Sequence, residues 1–244
     1  MFPGVGTVVN LIAIVLGASF GILIGAKLAP RTRSLITDVL GLTTLLAAAS
    51  ALTRLWANDF ISSLPKGSSL LTVLAALILG GLLGSIARLE ERLELLGERL
   101  RKKFRASHES RFVEGFVSAS LLFAIGPLAI LGSISDGMST GIDQLLLKSS
   151  LDFFAAMAFA TSLGWGVAVA VIPVAVYQGF WTVVGLLLGT VLTSYQVDAM
   201  TVTGGVLLIC IGLKLLKIKD VAVANLLPAL GIAPLFAWGL HSFI

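Results

Sequence analysis

Residues 153–197 read FFAAMAFATSLGWGVAVAVIPVAVYQGFWTVVGLLLGTVLTSYQV, and no side chain in that stretch carries a charge. A helix crossing the hydrocarbon core of a bilayer needs about 20 apolar residues, so this single run is long enough for two crossings. The turn between them belongs at Ser162-Leu163-Gly164-Trp165-Gly166, where glycines interrupt the apolar residues. The run does not alternate apolar and polar positions as a membrane barrel strand would. Inside lipid, the backbone groups of such a segment are satisfied only by helix formation.

The rest of the chain extends this pattern. Apolar residues make up 57% of the 244 positions and charged residues 12%, whereas a soluble domain needs roughly a quarter charged. The reading is an all-α polytopic membrane protein with about eight transmembrane helices, forming a single transmembrane domain over 1–244. The spans fall at about 5–26, 35–56, 69–87, 112–131, 144–162, 167–192, 199–216 and 222–242. The first is too long, and too poor in preceding basic residues, for a cleaved signal peptide, and is expected to be retained. Pro228 and Pro234 mark the last span as a broken or a re-entrant helix. Cys210, the single cysteine, rules out a disulfide within the chain.

The basic residues set the orientation, because they concentrate beside short cytoplasmic loops. Lys27, Arg31 and Arg33 follow span one; Arg88, Arg92, Arg99, Arg101, Lys102, Lys103, Arg105 and Arg111 separate spans three and four; Lys214, Lys217 and Lys219 close span seven. With the N-terminus outside, these fourteen share one face, and Arg54, Lys66 and Lys148 fall on the other. The 88–111 loop is then cytoplasmic. Within it, Leu89, Leu93, Leu96, Leu100 and Phe104 recur at helical spacing opposite charged residues, which makes 89–110 an amphipathic basic helix and loop. Its partner is anionic lipid, a neighbouring subunit, or simply water as an extension of span three. Nucleic acid is not an expected partner.

Internal similarity supports transport. Shifted by 164 residues, Gly21, Gly25, Thr37 and Gly41 match Gly185, Gly189, Thr201 and Gly205, relating 7–52 to 171–216. A weaker match sets Gly17 and Gly21 against Gly80 and Gly84, within a third copy at 70–131. The turn after span one carries three basic residues and its counterpart at 190–198 carries none, so the first two copies run in opposite senses. Inverted repeats are a recurrent transporter architecture with the solute site at their interface. The glycines themselves read as close-packing positions, since small residues four apart let helices approach.

Polar residues inside the apolar runs are the candidate solute or ion pathway. Gly126-Pro127 breaks a helix and frees backbone carbonyls, and Ser133, Ser135 and Asp136 follow. The alternative there is a plain helix end, with Asp136 capping it in an outer loop. Asp152, four residues after Lys148, is a carboxylate at membrane depth, either paired with that lysine or facing a cavity. Tyr177 and Gln178 lie beyond Pro173 in span six, Asn225 precedes Pro228 in span eight, and Asn10 lies near the start of span one. Each is interhelical glue taken alone and a polar path taken together.

Several of these stretches resemble a family of uncharacterised bacterial membrane proteins, the YqgA/YdfK-like domain-of-unknown-function family. They are Gly6-Thr7-Val8-Val9-Asn10, the run from Gly126-Pro127 to Asp136-Gly137, and Lys148-Ser149-Ser150-Leu151-Asp152, joined by Tyr177-Gln178-Gly179 and by 224–230, ANLLPAL. The resemblance implies a multi-pass protein of the bacterial cytoplasmic membrane and supplies no substrate.

The two histidines, His108 and His241, lack metal-ligand spacing, and no phosphate loop or nucleophile elbow is present. No enzyme, cofactor or metal is expected. The expectation is a small-solute or ion transporter, proton- or sodium-coupled; the alternatives are a homo-oligomeric channel and a membrane scaffold that recruits partners through 89–105.

Overall fold

Gly4, with φ 98°, turns the chain into its first helix, α1 (Val5–Gly25). Next come α2 (Pro30–Leu52) with a 3-10 turn (Thr53–Trp56), α3 (Asn58–Ser62), α4 (Ser68–Ile86), α5 (Leu89–Lys103), α6 (Phe112–Ala124) and α7 (Pro127–Gly137). The remainder are α8 (Asp143–Leu163), α9 (Gly166–Val169), α10 (Val171–Leu188), α11 (Ser194–Leu215), α12 (Val223–Leu226) and α13 (Pro228–His241). This computed structural model describes residues 2–104, 111–189 and 192–242. Among them, seven segments are long and apolar enough to cross a membrane, with α9–α10 and α12–α13 each counted as one. The pair α6–α7, bent by 63°, makes an eighth when taken together.

The turn expected at 162–166 is there, with Gly164 at φ 74° ending α8. Span four breaks at Gly126-Pro127 as expected but runs past the expected end at 131. Ile125 turns extended, Gly126 adopts φ 132°, and Pro127 opens α7, which runs on to Gly137. Asp136 therefore lies within a helix and not in an outer loop. The last segment is a broken helix: α12 and α13 divide at Leu227, and Pro234 is accommodated inside α13. Gly189, at φ 72°, stops α10 short of the expected 192.

Helix α11 starts at Ser194, ahead of the expected 199, because a capping box sets its first turn. Thr193 caps the helix, and Gln196 accepts from the Thr193 N–H at 2.9 Å. Gln196 also donates Nε2 to the Pro234 carbonyl at 3.3 Å. Thr193→Ala should cost about 1 kcal/mol, and Gln196→Ala measurably more, by thermal unfolding in detergent. Equal losses would show that the bond to Pro234 contributes nothing.

The chain divides into two units, residues 1–40 with 93–191 and residues 41–92 with 192–244. Both bury small residues and expose large apolar ones. In the first, Gly17, Gly21 and Gly25 of α1 lie against the backbone of Phe153, Met157 and Thr161 of α8, so close that a β-carbon would overlap it. The rising numbers on both sides make α1 and α8 parallel. Gly137 and Gly185 bring α7 and α10 together in the same way. Outward, Leu23 and Leu187 are 66% and 74% exposed, as lipid-facing side chains are. In the second unit, Gly80 and Gly84 of α4 meet Ala229 and Asn225, and Gly41 and Gly212 join the end of α2 to α11 in antiparallel sense. Phe60, Val73, Tyr195 and Ala233 form part of its core.

Helix α5 forms as expected, but Arg88 at φ 52° separates it from α4, so it does not extend span three. Its buried side holds Glu90, Gly97 and Arg101, whereas Leu96 and Phe104 of the expected apolar stripe are exposed. Residues 105–110, the tail of the expected 89–110 segment with His108, lie outside the described residues.

Candidate functional site

The first unit gathers polar side chains from α1, α7, α8 and α10. The first turn of a helix has backbone N–H groups without partners inside the helix. In α1 one of these, Thr7 N–H, donates to Asp136 Oδ2 of α7 at 3.1 Å. Asp136 is 2% exposed, so a buried carboxylate caps α1 from a distant helix and is held by the positive end of its dipole. Gly6 makes the approach possible: a β-carbon there would lie 2.7 Å from Leu145 Cδ1 and 3.2 Å from the same carboxylate. The hydroxyls of Thr7 and Thr182 are 3.3 Å apart, which ties α10 to the group.

One turn further along α1, fully buried Asn10 donates Nδ2 to Asp152 Oδ2 at 3.0 Å. Lys148 Nζ donates to the same oxygen, forming a buried ion pair. Lysine ahead of aspartate at i,i+4 is the weaker helical order, but here burial strengthens it. The ammonium also sits 5.9 Å from the centre of the Phe123 ring. Ser133, fully buried, donates to its own helix at the Ala129 carbonyl, 2.6 Å away. Gln178 is fully buried, and neither of its amide atoms has a hydrogen-bond partner among the described residues.

Asn10, Asp136 and Asp152 are thus joined around the start of α1, while Ser133 and Gln178 lie buried in the same unit, one turn from Asp136 on α7 and one turn from Thr182 on α10. Gly126 and the Pro127 backbone supply the break that lets α7 turn. Ser135 is half-buried, and Tyr177 is half-buried with its ring edge-on to Trp181 at 6.5 Å. Thr7 and Thr182 carry no signal that sequence reading recognises, since a threonine in an apolar run is usually bonded to its own helix.

Asn225 belongs to the second unit. There Glu90, 8% exposed, accepts from Ala224 N–H at 2.7 Å and from Lys214 Nζ at 3.2 Å, while its own N–H donates to Asn225 Oδ1 at 3.0 Å. Lys214 also pairs with Asp220 at 3.0 Å. The clasp fastens the start of α5 to the α11–α12 turn, a structural task. Glu90→Ala should cost about 2–3 kcal/mol, because it leaves a buried N–H and an ammonium short of a partner. Exposed Glu91→Ala should stay within about 0.5 kcal/mol of wild type in the same unfolding assay.

One family model, "Protein of unknown function (DUF554)", matches residues 5–238 of the chain. The chain belongs to the DUF554 family. Among its relatives are the "Uncharacterized protein YqgA" of Escherichia coli (strain K12), 33% identical over 234 residues covering 94% of each chain. Another is the "Uncharacterized membrane protein YdfK" of Bacillus subtilis (strain 168), 27% identical over 238 residues covering 98% of this chain and 97% of that one. No solved structure matches the chain. This DUF554 protein is a membrane protein with, among the described residues, seven to eight apolar helices able to span a bilayer.

Proposed function

We propose that this DUF554 protein carries a small solute or ion across the bacterial cytoplasmic membrane, with the polar group of the first unit as its binding and coupling site. The observation that carries the reading is two carboxylates, an ammonium and two amides buried within a unit built of apolar helices. A lone charge at the centre of a spanning helix costs about 2.5–3.5 kcal/mol on insertion scales, and such residues mark ion paths and proton relays. Packing alone does not call for them. Two further observations support it. α1 and α10 run antiparallel, since Thr7 meets Thr182 while Leu11 to Leu16 approach Val171; α11 is likewise antiparallel to the end of α2. That is the sense expected of inverted copies over 7–52 and 171–216. Arg33 and Arg111 share the end of the first unit where α8 finishes, as the Ser162 hydroxyl bond to the Arg33 carbonyl and the Arg111–Thr37 contact require. In this reading that end is cytoplasmic and the N-terminus is outside.

The test is uptake into proteoliposomes under imposed proton or sodium gradients, with amino acids, carboxylates and alkali cations as substrates. Saturable, gradient-driven accumulation is expected. Asp136→Asn should remove at least nine-tenths of it while the protein still folds, because the amide oxygen can still accept from Thr7 N–H. Unitary currents in a planar bilayer would replace the carrier by a channel, and liposomes that behave like empty ones would end the transport reading.

A further inference from the structure

Asp152 and Asn10 leave an oxygen to spare. A carboxylate only accepts hydrogen bonds, so Asn10 must turn its amino group to Asp152, and its Oδ1 is left buried with no partner among the described residues. On the facing helix, Gln178 Oε1 is in the same condition. Asn10 follows Thr7 by three residues, and Gln178 precedes Thr182 by four. In antiparallel helices joined at Thr7–Thr182, both therefore lie on the same side of that contact, about 4.5 and 6 Å along the axes. Buried amides are normally paired, so two of them at one level point to something that pairs with them.

Charge narrows the ligand. Lys148 neutralises one of the two buried carboxylates, and the first turn of α1 offsets only part of the other. The group stays negative. Amide, hydroxyl and carboxylate oxygens are hard donors that suit hard cations. A divalent ion would overcompensate the charge, and among the described residues no cluster of three or more His, Cys, Asp or Glu side chains could hold one.

We infer that Asn10 Oδ1 and Gln178 Oε1, backed by the negative charge of Asp136, form a binding site for a monovalent alkali cation, sodium in the first instance. The inference deepens the transport reading by naming its coupling ion, and it rests on that reading only for the word coupling. The cation takes oxygen donors from α1 and α10 together. Its arrival therefore closes those two helices on each other, and its loss frees them.

The experiment is thermal unfolding of the detergent-solubilised full-length protein in sodium, potassium, lithium or choline chloride at constant ionic strength. Ligand bound only by the folded state raises its melting temperature. Saturating sodium should raise it by roughly 5 °C over choline. Gln178→Met, near in volume and without polar atoms, should melt in choline at or above wild type and lose the sodium shift; Asp136→Asn should lose it too. A wild-type melting temperature indifferent to the cation overturns the site, as does a Gln178→Met protein with the full shift, or a larger shift with calcium or magnesium. Sodium stabilisation without flux keeps the site and removes the transport reading. Flux indifferent to sodium in a protein that sodium does not stabilise keeps transport and removes the site.

Discussion

Gly21→Leu should leave little folded protein to recover. A β-carbon at Gly21 already overlaps the Met157 carbonyl of α8, and leucine adds three more carbons behind it. Overpacking a core costs about 1–3 kcal/mol when side chains can shift. Here the obstacle is backbone in a parallel helix, so relief requires α1 to lift away. That movement loosens the contacts of Gly17 and Gly25, and draws Thr7 and Asn10 from Asp136 and Asp152. A loss of about 3 kcal/mol or more is expected, read as the collapse of the monodisperse peak in size-exclusion chromatography and of the unfolding transition. Gly179→Ala is the control: a β-carbon there meets nothing within 4 Å, and removing a helical glycine gains up to about 1 kcal/mol. A Gly21→Leu protein as stable as wild type would refute the close α1–α8 contact.

Breaking the Lys148–Asp152 pair from one side should be nearly as damaging. Removing one member of a buried ion pair costs about 3–5 kcal/mol, since the other charge is left without compensation. Among the described residues, Lys148→Met leaves Asp152 with only the Asn10 amide, and Asp152→Leu leaves the ammonium with only the Phe123 ring. The double substitution should recover most of the loss, because apolar groups of similar volume can replace a buried pair at little cost. A double-mutant cycle should give a coupling of about 2 kcal/mol or more. A value near the ~0.6 kcal/mol of an average interhelical hydrogen bond in a membrane would show that the pair contributes no more than an ordinary hydrogen bond.

The helices were legible because each apolar run is as long as a bilayer is thick, and a run of that length has few alternative readings. The turn at Gly164 and the break at Gly126-Pro127 could be found because glycine and proline act on the backbone locally. Where a boundary depended on side chains, the reading slipped: Thr193 and Gln196 start α11 early through bonds that hydropathy does not register. The candidate site divided along the same line. Asp136, Asp152, Asn10 and Gln178 stood out as polar groups where polarity is costly. Glu90 did not, because a glutamate in a charged helix looks solvated until Lys214 and Ala224 are seen to hold it. The bond between Asn225 and the Glu90 N–H could not be foreseen for the complementary reason. Spacing says that a residue is polar at membrane depth, but not which helix it faces.

The cap on α1 imposes an order on biogenesis. Thr7 and Asn10 are made well before their partners, which lie 129 and 142 residues later in the chain. At a synthesis rate of 5–20 residues per second, the first helix waits on the order of ten seconds for the carboxylates that complete it. Throughout that interval Asn10 must be sheltered by the insertion machinery or turned toward lipid headgroups. The nascent α1 segment is thus incomplete until α8 arrives to dock against it.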